Sequence, residues 1–235
     1  MSSSKRPKRD EAPLKTLTSP SRAGMKEKLV EKANAMSAND FYDQYAPPNF
    51  KLELFKGAVK PPFHLSWVYG DAKLLLSAGD SLLRECMKLI EQTSAKDYQN
   101  SEMKWSTAKK WKEMQLPDMK YIILVTPEDV VAGFVSFMIT YEDGLEVLYL
   151  YEIHLIPEWQ TQGLGRNMLH VVECFARNVG VAKVMLTVFR ANERAIEWYA
   201  KRGYQEDKFS PGPRKLRNGT IKQPSYTILS KQVKS

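Results

Sequence analysis

Apolar positions recur along this chain in two periods, which alternate from segment to segment. Leu74 to Thr93 repeats Leu75, Leu82, Cys86, Leu89 and Ile90 at helical spacing, predicting one long amphipathic helix. Met25 to Ala38 has helical composition with Leu29, Ala33 and Met36 on one side, and Ser101 to Met114 predicts a helix carrying Met103, Trp105 and Trp111. Phe50 to Phe55 alternates and predicts a strand. Tyr121 to Val125, Val131 to Tyr141 and Glu146 to Leu155 then predict three strands joined by turns at Thr126-Pro127-Glu128-Asp129 and Glu142-Asp143-Gly144. A helix over Gly163 to Asn178, a β-branched strand over Ala182 to Phe189, and a helix over Asn192 to Lys201 ending near Gly203 follow. After a Pro- and Gly-rich stretch at 209–223, Ser225 to Ser230 predicts a closing strand. Two successive hairpins predict antiparallel neighbours within the sheet.

Residues 1–24 are rich in Ser, Pro and Lys and lack apolar periodicity, so they are expected to form a disordered basic leader ahead of one domain over 25–235. Lys5-Arg6-Pro7-Lys8-Arg9 is a candidate nuclear-localisation cluster, and nucleus and cytoplasm are the expected compartments. No apolar run approaches a membrane span, and no apolar signal region is evident. The net charge of +8 is unevenly placed: residues 1–32 carry +5, residues 201–235 carry +7, and 33–200 carry −4. A mildly acidic middle is compatible with a basic substrate, and the basic ends with nuclear import or solvated tails. Cys86 and Cys174 form no metal-ligand or CxxC spacing and are expected to be buried thiols. No metal is expected.

The segment carrying the chemistry is Gln160-Thr161-Gln162-Gly163-Leu164-Gly165, between the strand ending at Leu155 and the helix beginning near Gly163. A glycine turn that opens a helix presents backbone N–H groups and the positive end of the helix dipole to a pyrophosphate. About thirty residues later comes Asn192-Glu193-Arg194-Ala195-Ile196-Glu197-Trp198-Tyr199, then Gly203-Tyr204. Strand, Gln-x-x-Gly-x-Gly and helix, followed by Asn-x-x-Ala-x-x-aromatic-Tyr, resembles the GCN5-related (GNAT) acetyltransferases. The structural alternatives are a plain helix N-cap for Asn192 and a packed core aromatic for Tyr199. Glu146 to Glu152, Lys183 to Phe189 and Ser225 to Ser230 are similar to the NatD-type N-terminal acetyltransferases, and the likeness runs from about residue 25 to 232, including an extra N-terminal helix.

The resemblance implies an α/β GNAT fold, a mixed and mostly antiparallel sheet flanked by helices, and acetyl transfer from acetyl-CoA to the α-amine of the N-terminal serine of histones that begin Ser-Gly-Arg-Gly, in a direct ternary complex. Histone tails are then the partner, with no stable nucleic-acid binding, no membrane contact and a monomeric state expected. Ile153, His154 and Leu155 are expected to present backbone groups to the acetyl and pantetheine portion, with Asn192 reaching the pantetheine arm. Thr161, Gln162, Gly163, Leu164, Gly165 and Arg166 are expected to wrap the pyrophosphate. Tyr98, Trp105, Glu142, Tyr151, Thr187, Ser210 and Tyr226 are expected to line the peptide groove. Glu152 is the candidate general base through a water, and Tyr199 the donor to the departing thiolate. Thr140 stands where the NatD pattern carries an acid, Met103 where it carries a tryptophan, and Gln160 where the pyrophosphate motif often begins with Arg. A lysine side chain or a small amine is an alternative acceptor, and a non-catalytic reader of histone tails is an alternative of another class.

Overall fold

The computed structural model describes residues 28–57 and 65–233. The basic leader and its Lys5 to Arg9 cluster lie outside the described residues. Three short helices come first: α1 (Leu29–Asn34), α2 (Ala38–Tyr45) and α3 (Phe50–Phe55). The alternation that predicted a strand at 50–55 is occupied by α3 instead. Phe50 and Leu54, one helical turn apart, are buried, while Leu52 between them is 64% exposed. Strand β1 (Ser66–Asp71) had no expectation from the sequence. The single long helix expected over 74–93 is two, α4 (Ala72–Ser77) and α5 (Ser81–Gln99), separated at Gly79, whose φ of +101° no helix continues through. Only the second half of the Ser101–Met114 expectation is helical, as α6 (Thr107–Met114), with Ser106 capping it.

The remaining elements lie where the pattern placed them: β2 (Lys120–Val125), β3 (Val131–Glu142), β4 (Leu145–Leu155), α7 (Leu164–Val179), β5 (Lys183–Phe189), α8 (Glu193–Ala200) and β9 (Tyr226–Gln232). Two-residue strands β6 (Gln205–Glu206), β7 (Arg214–Lys215) and β8 (Ile221–Lys222) fall before and within the loop expected at 209–223. One seven-stranded sheet has the order β1-β2-β3-β4-β5-β9-β6, with only β4 and β5 parallel. The β3–β4 turn is a two-residue loop in which Asp143 (φ +47°) and Gly144 (φ +76°) both take the left-handed region that such hairpins demand.

Central strands are buried on both faces. Ile122 and Leu124 join the core under α1, α2, α3 and α7, while Tyr121, Ile123 and Val125 join a second core under α4, α5 and α6. Two irregularities in β4 shape the site. Its pairing with β5 covers only Leu148 to Leu150, so the two strands separate beyond Leu150. Its pairing with β3 skips one residue, Ser136 facing Glu152 and Phe137 facing Leu150, which leaves Tyr151 as a β-bulge.

Candidate active site

Side chains alternate along an unbroken strand, so Leu150 and Glu152 would share a face. The bulge at Tyr151 breaks that rule. Leu150, Ile153 and Leu155 pack on the α7 side, whereas Tyr151 packs toward α5 and α6. Glu152 and His154 also turn to that side, where they meet Lys110 of α6 and Thr93 of α5. Glu152 is buried, with Oε1 2.9 Å from Lys110 Nζ and Oε2 2.6 Å from His154 Nε2. Lys110 Nζ also contacts Glu113 and sits 5.0 Å from the centre of the Tyr98 ring. Burial pushes the Glu152 carboxyl up, but the His154 hydrogen bond and the Lys110 charge outweigh it and hold the group below the ordinary carboxylate range. Burial disfavours the Lys110 ammonium, yet the opposing charges of Glu152 and Glu113 leave its pKa above the ordinary lysine value.

Two cavities meet at this cluster. The first, of about 470 Å³, lies where β4 and β5 separate, between the start of α7 and α8. The opening of α7 explains its chemistry. Gly163 has φ +88°, and the first intrahelical bond runs from Asn167 N–H to the Gly163 carbonyl, leaving the amides of Leu164, Gly165 and Arg166 without helical partners. Arg166, Arg194 and Arg202 border the same space. Arg202 stacks on Trp198 at 3.8 Å and donates to the Trp198 carbonyl. Unpaired amides, a helix N-terminus and three guanidinium groups make a cavity for an anion of several phosphates. A Cβ at Gly165 would sit in ordinary van der Waals contact with Trp198 and Leu155, at 3.6 and 3.7 Å.

The second cavity, of about 370 Å³, is bordered by Asp97, Glu113, Glu142 and Glu152 with Lys110 as the single cation of a lysine or arginine, and by Tyr98, Tyr149, Tyr151 and Phe189. An aromatic and mainly acidic wall suits a cationic ligand. Burial, with a further push from Glu152, raises the Tyr98 phenol to about 12, so it is a neutral hydrogen-bonding group at physiological pH. Ser94, Ile153, His154, Asn192, Ala195 and Tyr199 border both cavities, so the two adjoin at the α8 N-terminus.

Of the residues singled out in the sequence, Ile153, His154, Leu155, Thr161, Gly163, Gly165, Arg166 and Asn192 border the first cavity. Asn192 also caps α8, accepting from Ala195 N–H at 3.1 Å, so cap and cavity wall are one residue. Gln162 and Leu164 do not border it. Gln162 is buried and donates to the Glu158 carbonyl, and the Leu164 side chain lies in the core, so these two shape the turn from behind. Glu152, Tyr98, Glu142, Tyr151, Thr187 and Tyr199 border the second cavity. Tyr199 is 6% exposed and packs edge-on against Trp198 and Tyr204, which makes it both a core aromatic and a wall. Trp105, Ser210 and Tyr226 stand outside it. Trp105 supports Tyr98 edge-on, Ser210 Oγ holds Glu206, Thr227 and the Ile228 amide, and Tyr226 pairs with Phe189 across β5 and β9. The sequence pattern did not single out Lys110, Thr93, Arg194 or Arg202, and it marked Trp198 only as the aromatic of the Asn192 motif. Cys86 is buried as expected, whereas Cys174 is only half-buried and accepts from Arg177. Among the described residues no cluster of three or more His, Cys, Asp or Glu could hold a metal, and no helix is long and apolar enough to cross a membrane.

The profile of the "Acetyltransferase (GNAT) family" matches residues 84–204, from within α5 through α8. The chain belongs to the GNAT acetyltransferase family. This GNAT protein is 33% identical over 168 residues to N-alpha-acetyltransferase 40 of Saccharomyces cerevisiae, the match covering 60% of this chain and 58% of that protein. The chain thus spans less than two thirds of the length of that relative. Solved structures share the fold at low identity. An acetyltransferase from Streptococcus agalactiae superposes with TM-score 0.53 at 12% identity, covering 72% of this chain and 99% of that one. The PaiA N-acetyltransferase of Thermoplasma acidophilum, in complex with coenzyme A, superposes with TM-score 0.51 at 16% identity, covering 72% and 98%. Members of the family use acetyl-CoA, and the arginine-rich cavity of this GNAT chain has the amides and charges that a pyrophosphate requires.

Proposed function

We propose that this protein transfers the acetyl group of acetyl-CoA to the α-amine of a protein chain, with histone tails that begin Ser-Gly-Arg-Gly as the acceptor. The observation that carries this reading is the junction of the two cavities at Ser94, Ile153, His154, Asn192, Ala195 and Tyr199. A thioester entering from the arginine-rich side and an amine entering from the acidic side come together beside Glu152 and Tyr199. The name of the yeast relative supports an α-amine over a lysine side chain. The acidic, aromatic wall supports an acceptor whose first residues are basic.

In this reading the phosphates of acetyl-CoA rest on the Leu164, Gly165 and Arg166 amides and on Arg166, Arg194 and Arg202. Its acetyl end would lie against the part of β4 beyond Leu150 that has left β5 but stays paired with β3, beside Ile153, with Gln160 donating to the Leu155 carbonyl next to it. The α-ammonium is drawn to Glu152 and Glu113 and deprotonated there. The free amine then attacks the thioester carbonyl directly, without a covalent enzyme intermediate. Tyr199, whose phenol burial keeps protonated well above its ordinary range, donates a proton toward the leaving thiolate. Glu142 borders the acceptor cavity and would meet the arginine at the third position of the acceptor, fork to carboxylate.

The test is release of free thiol from acetyl-CoA in the presence of a Ser-Gly-Arg-Gly peptide. The wild-type protein is expected to release thiol only when the peptide is present, and Glu152→Gln to slow this by ~10² or more, the usual cost of removing a general base. Peptide binding without any thiol release by the wild type would favour a non-catalytic reader instead.

A further inference from the structure

Among the described residues three lysines are buried, and two of them face carboxylates: Lys110 pairs with Glu152 and Glu113, and Lys183 with Asp207. Lys120, at the start of β2 and 4% exposed, has no ion-pair partner among the described residues. Its Nζ donates to the Asp118 carbonyl at 3.2 Å, reaches Asn34 Oδ1 only at 3.5 Å and lies 4.6 Å from the centre of the Phe41 ring. An ammonium brings three donors, and these neighbours supply one good acceptor. The charged groups facing it are the carboxylates of Asp71 on β1 and Asp118 in the preceding turn, both beyond pairing distance, and Asp71 is engaged in capping α4. Asn34 of α1, Phe41 of α2 and Phe137, its cross-strand neighbour on β3, are uncharged. Burial outweighs the two carboxylates and lowers the lysine to about 8. A cavity of about 560 Å³ opens beside this amine, bordered by Lys120, by both of its hydrogen-bond partners Asn34 and Asp118, and by Ser37, Asp71 and Lys73. It shares no residue with the two cavities of the active site.

We propose that Lys120 is a modification site of this protein, its side-chain amine at the wall of this separate cavity being acetylated directly by an acetyl thioester, without use of the active site. In the step, the ammonium first gives one proton to solvent. The free lone pair on Nζ attacks the thioester carbonyl carbon, so a C–N bond forms and the C–S bond breaks. The nitrogen loses a second proton, which the departing thiolate takes up. One thioester becomes one amide and one free thiol, with one proton released to water. The surroundings favour this outcome twice over. A lysine without a paired carboxylate yields its proton at lower pH than a paired one, and so offers a lone pair that Lys110, held charged by Glu152 and Glu113, does not. The product is neutral, so the charge that burial disfavours is gone, and its remaining N–H keeps the Asp118 carbonyl as acceptor. Acetylation at this point would make the stability of the fold respond to the supply of the protein's own co-substrate.

The test is incubation of the full chain with acetyl-CoA, in the absence of any acceptor peptide, at a series of pH values from about 7 to 10, with the rate of acetylation followed at each lysine by peptide mass spectrometry. Lys120 is expected to be acetylated about tenfold or more faster at pH ~8 than the exposed lysines of the same chain, because about half of its amines are neutral there against under ~1% for an ordinary lysine. Its rate is expected to level off by pH ~9, where the rates of ordinary lysines keep rising. In urea that unfolds the protein, Lys120 is expected to lose its advantage. Acetylation of Lys120 no faster than that of the exposed lysines at pH ~8 overturns the proposal, as does an advantage that survives unfolding. The same measurement on Glu152→Gln separates this inference from the acetyl-transfer reading. Undiminished acetylation of Lys120 in that variant is the expected result, and its loss would assign the transfer to the active site of another copy and contradict direct acetylation. Absence of transfer to a Ser-Gly-Arg-Gly peptide by the wild-type protein would count against the acetyl-transfer reading alone, since the reaction at Lys120 needs only the thioester.

Discussion

Lys110 Nζ and Glu152 Oε1 lie 2.9 Å apart in side chains that are 7% and 9% exposed, although 42 residues separate them in the chain. The contact ties α6 to the bulged strand at the junction of the two cavities. Removing one member of a buried ion pair strands the other charge, at a cost of about 3–5 kcal/mol. Lys110→Met is therefore expected to lower unfolding stability by about 3 kcal/mol in urea denaturation and to raise the pH at which Glu152 ionises. A stability change within experimental error would show that His154 alone suffices to hold Glu152.

The arginine cluster makes a separate prediction about the cofactor. Arg166 is exposed at the first turn of α7, so its loss removes a ligand contact without opening the core. Charge-assisted hydrogen bonds contribute about 1.5–3 kcal/mol, which corresponds to about 10- to 100-fold in affinity. Arg166→Ala is expected to weaken coenzyme A binding by about tenfold in calorimetry while leaving the ligand-free melting temperature unchanged. Arg202→Ala is expected to do more, because Arg202 also stacks on Trp198.

Glu142 offers a test of acceptor recognition. Burial and the neighbouring Asp143 charge raise its carboxyl pKa, as befits a group arranged to receive a cation. Glu142→Gln is expected to raise KM for a Ser-Gly-Arg-Gly peptide by about tenfold. A peptide with alanine in the third position should be nearly indifferent to the same substitution. Additive losses in that cycle would place the arginine elsewhere.

Lys120 gives a pH dependence far from the site. Its buried ammonium lies over the Phe41 ring at 4.6 Å, and burial lowers its pKa to about 8 from an ordinary 10.5. Folding therefore disfavours the charged form. Between about pH 8 and 10.5 the unfolded chain binds more protons than the folded one, so this group's contribution to stability rises with pH across that window. At neutral pH the charged lysine costs on the order of 1–3 kcal/mol relative to its unfolded state. Lys120→Met is expected to be more stable than wild type at pH ~7 and to lose that advantage by pH ~10, read from urea midpoints. A difference that is constant with pH would contradict the assigned titration.

The sheet from β2 to β5 and the helices α7 and α8 were legible because their periodicity is long and their boundaries carry Gly163, Asn192 and Gly203. Phe50 to Phe55 misled because three alternating apolar residues also fit one helical turn, and only burial of Phe50 and Leu54 with exposure of Leu52 separates the two. Strand β1 holds Ser66, Gly70 and Asp71 among three bulky residues, so neither period stands out. Motif spacing brought the glycine turn and Asn192 to one cavity. It did not reveal the bulge at Tyr151, which depends on a register slip against β3 and alone turns Glu152 toward α6. For the same reason Lys110, one of three lysines in a short amphipathic helix, carried no mark that it would be buried.

The central claim is that the amine brought to Glu152 is a chain terminus. The direct measurement is fragmentation mass spectrometry of a Ser-Gly-Arg-Gly peptide that also contains lysines, after incubation with the protein and acetyl-CoA. Acetyl on the serine α-amine, with every lysine unmodified, is the predicted result. Acetyl on a lysine side chain with the α-amine free would contradict it.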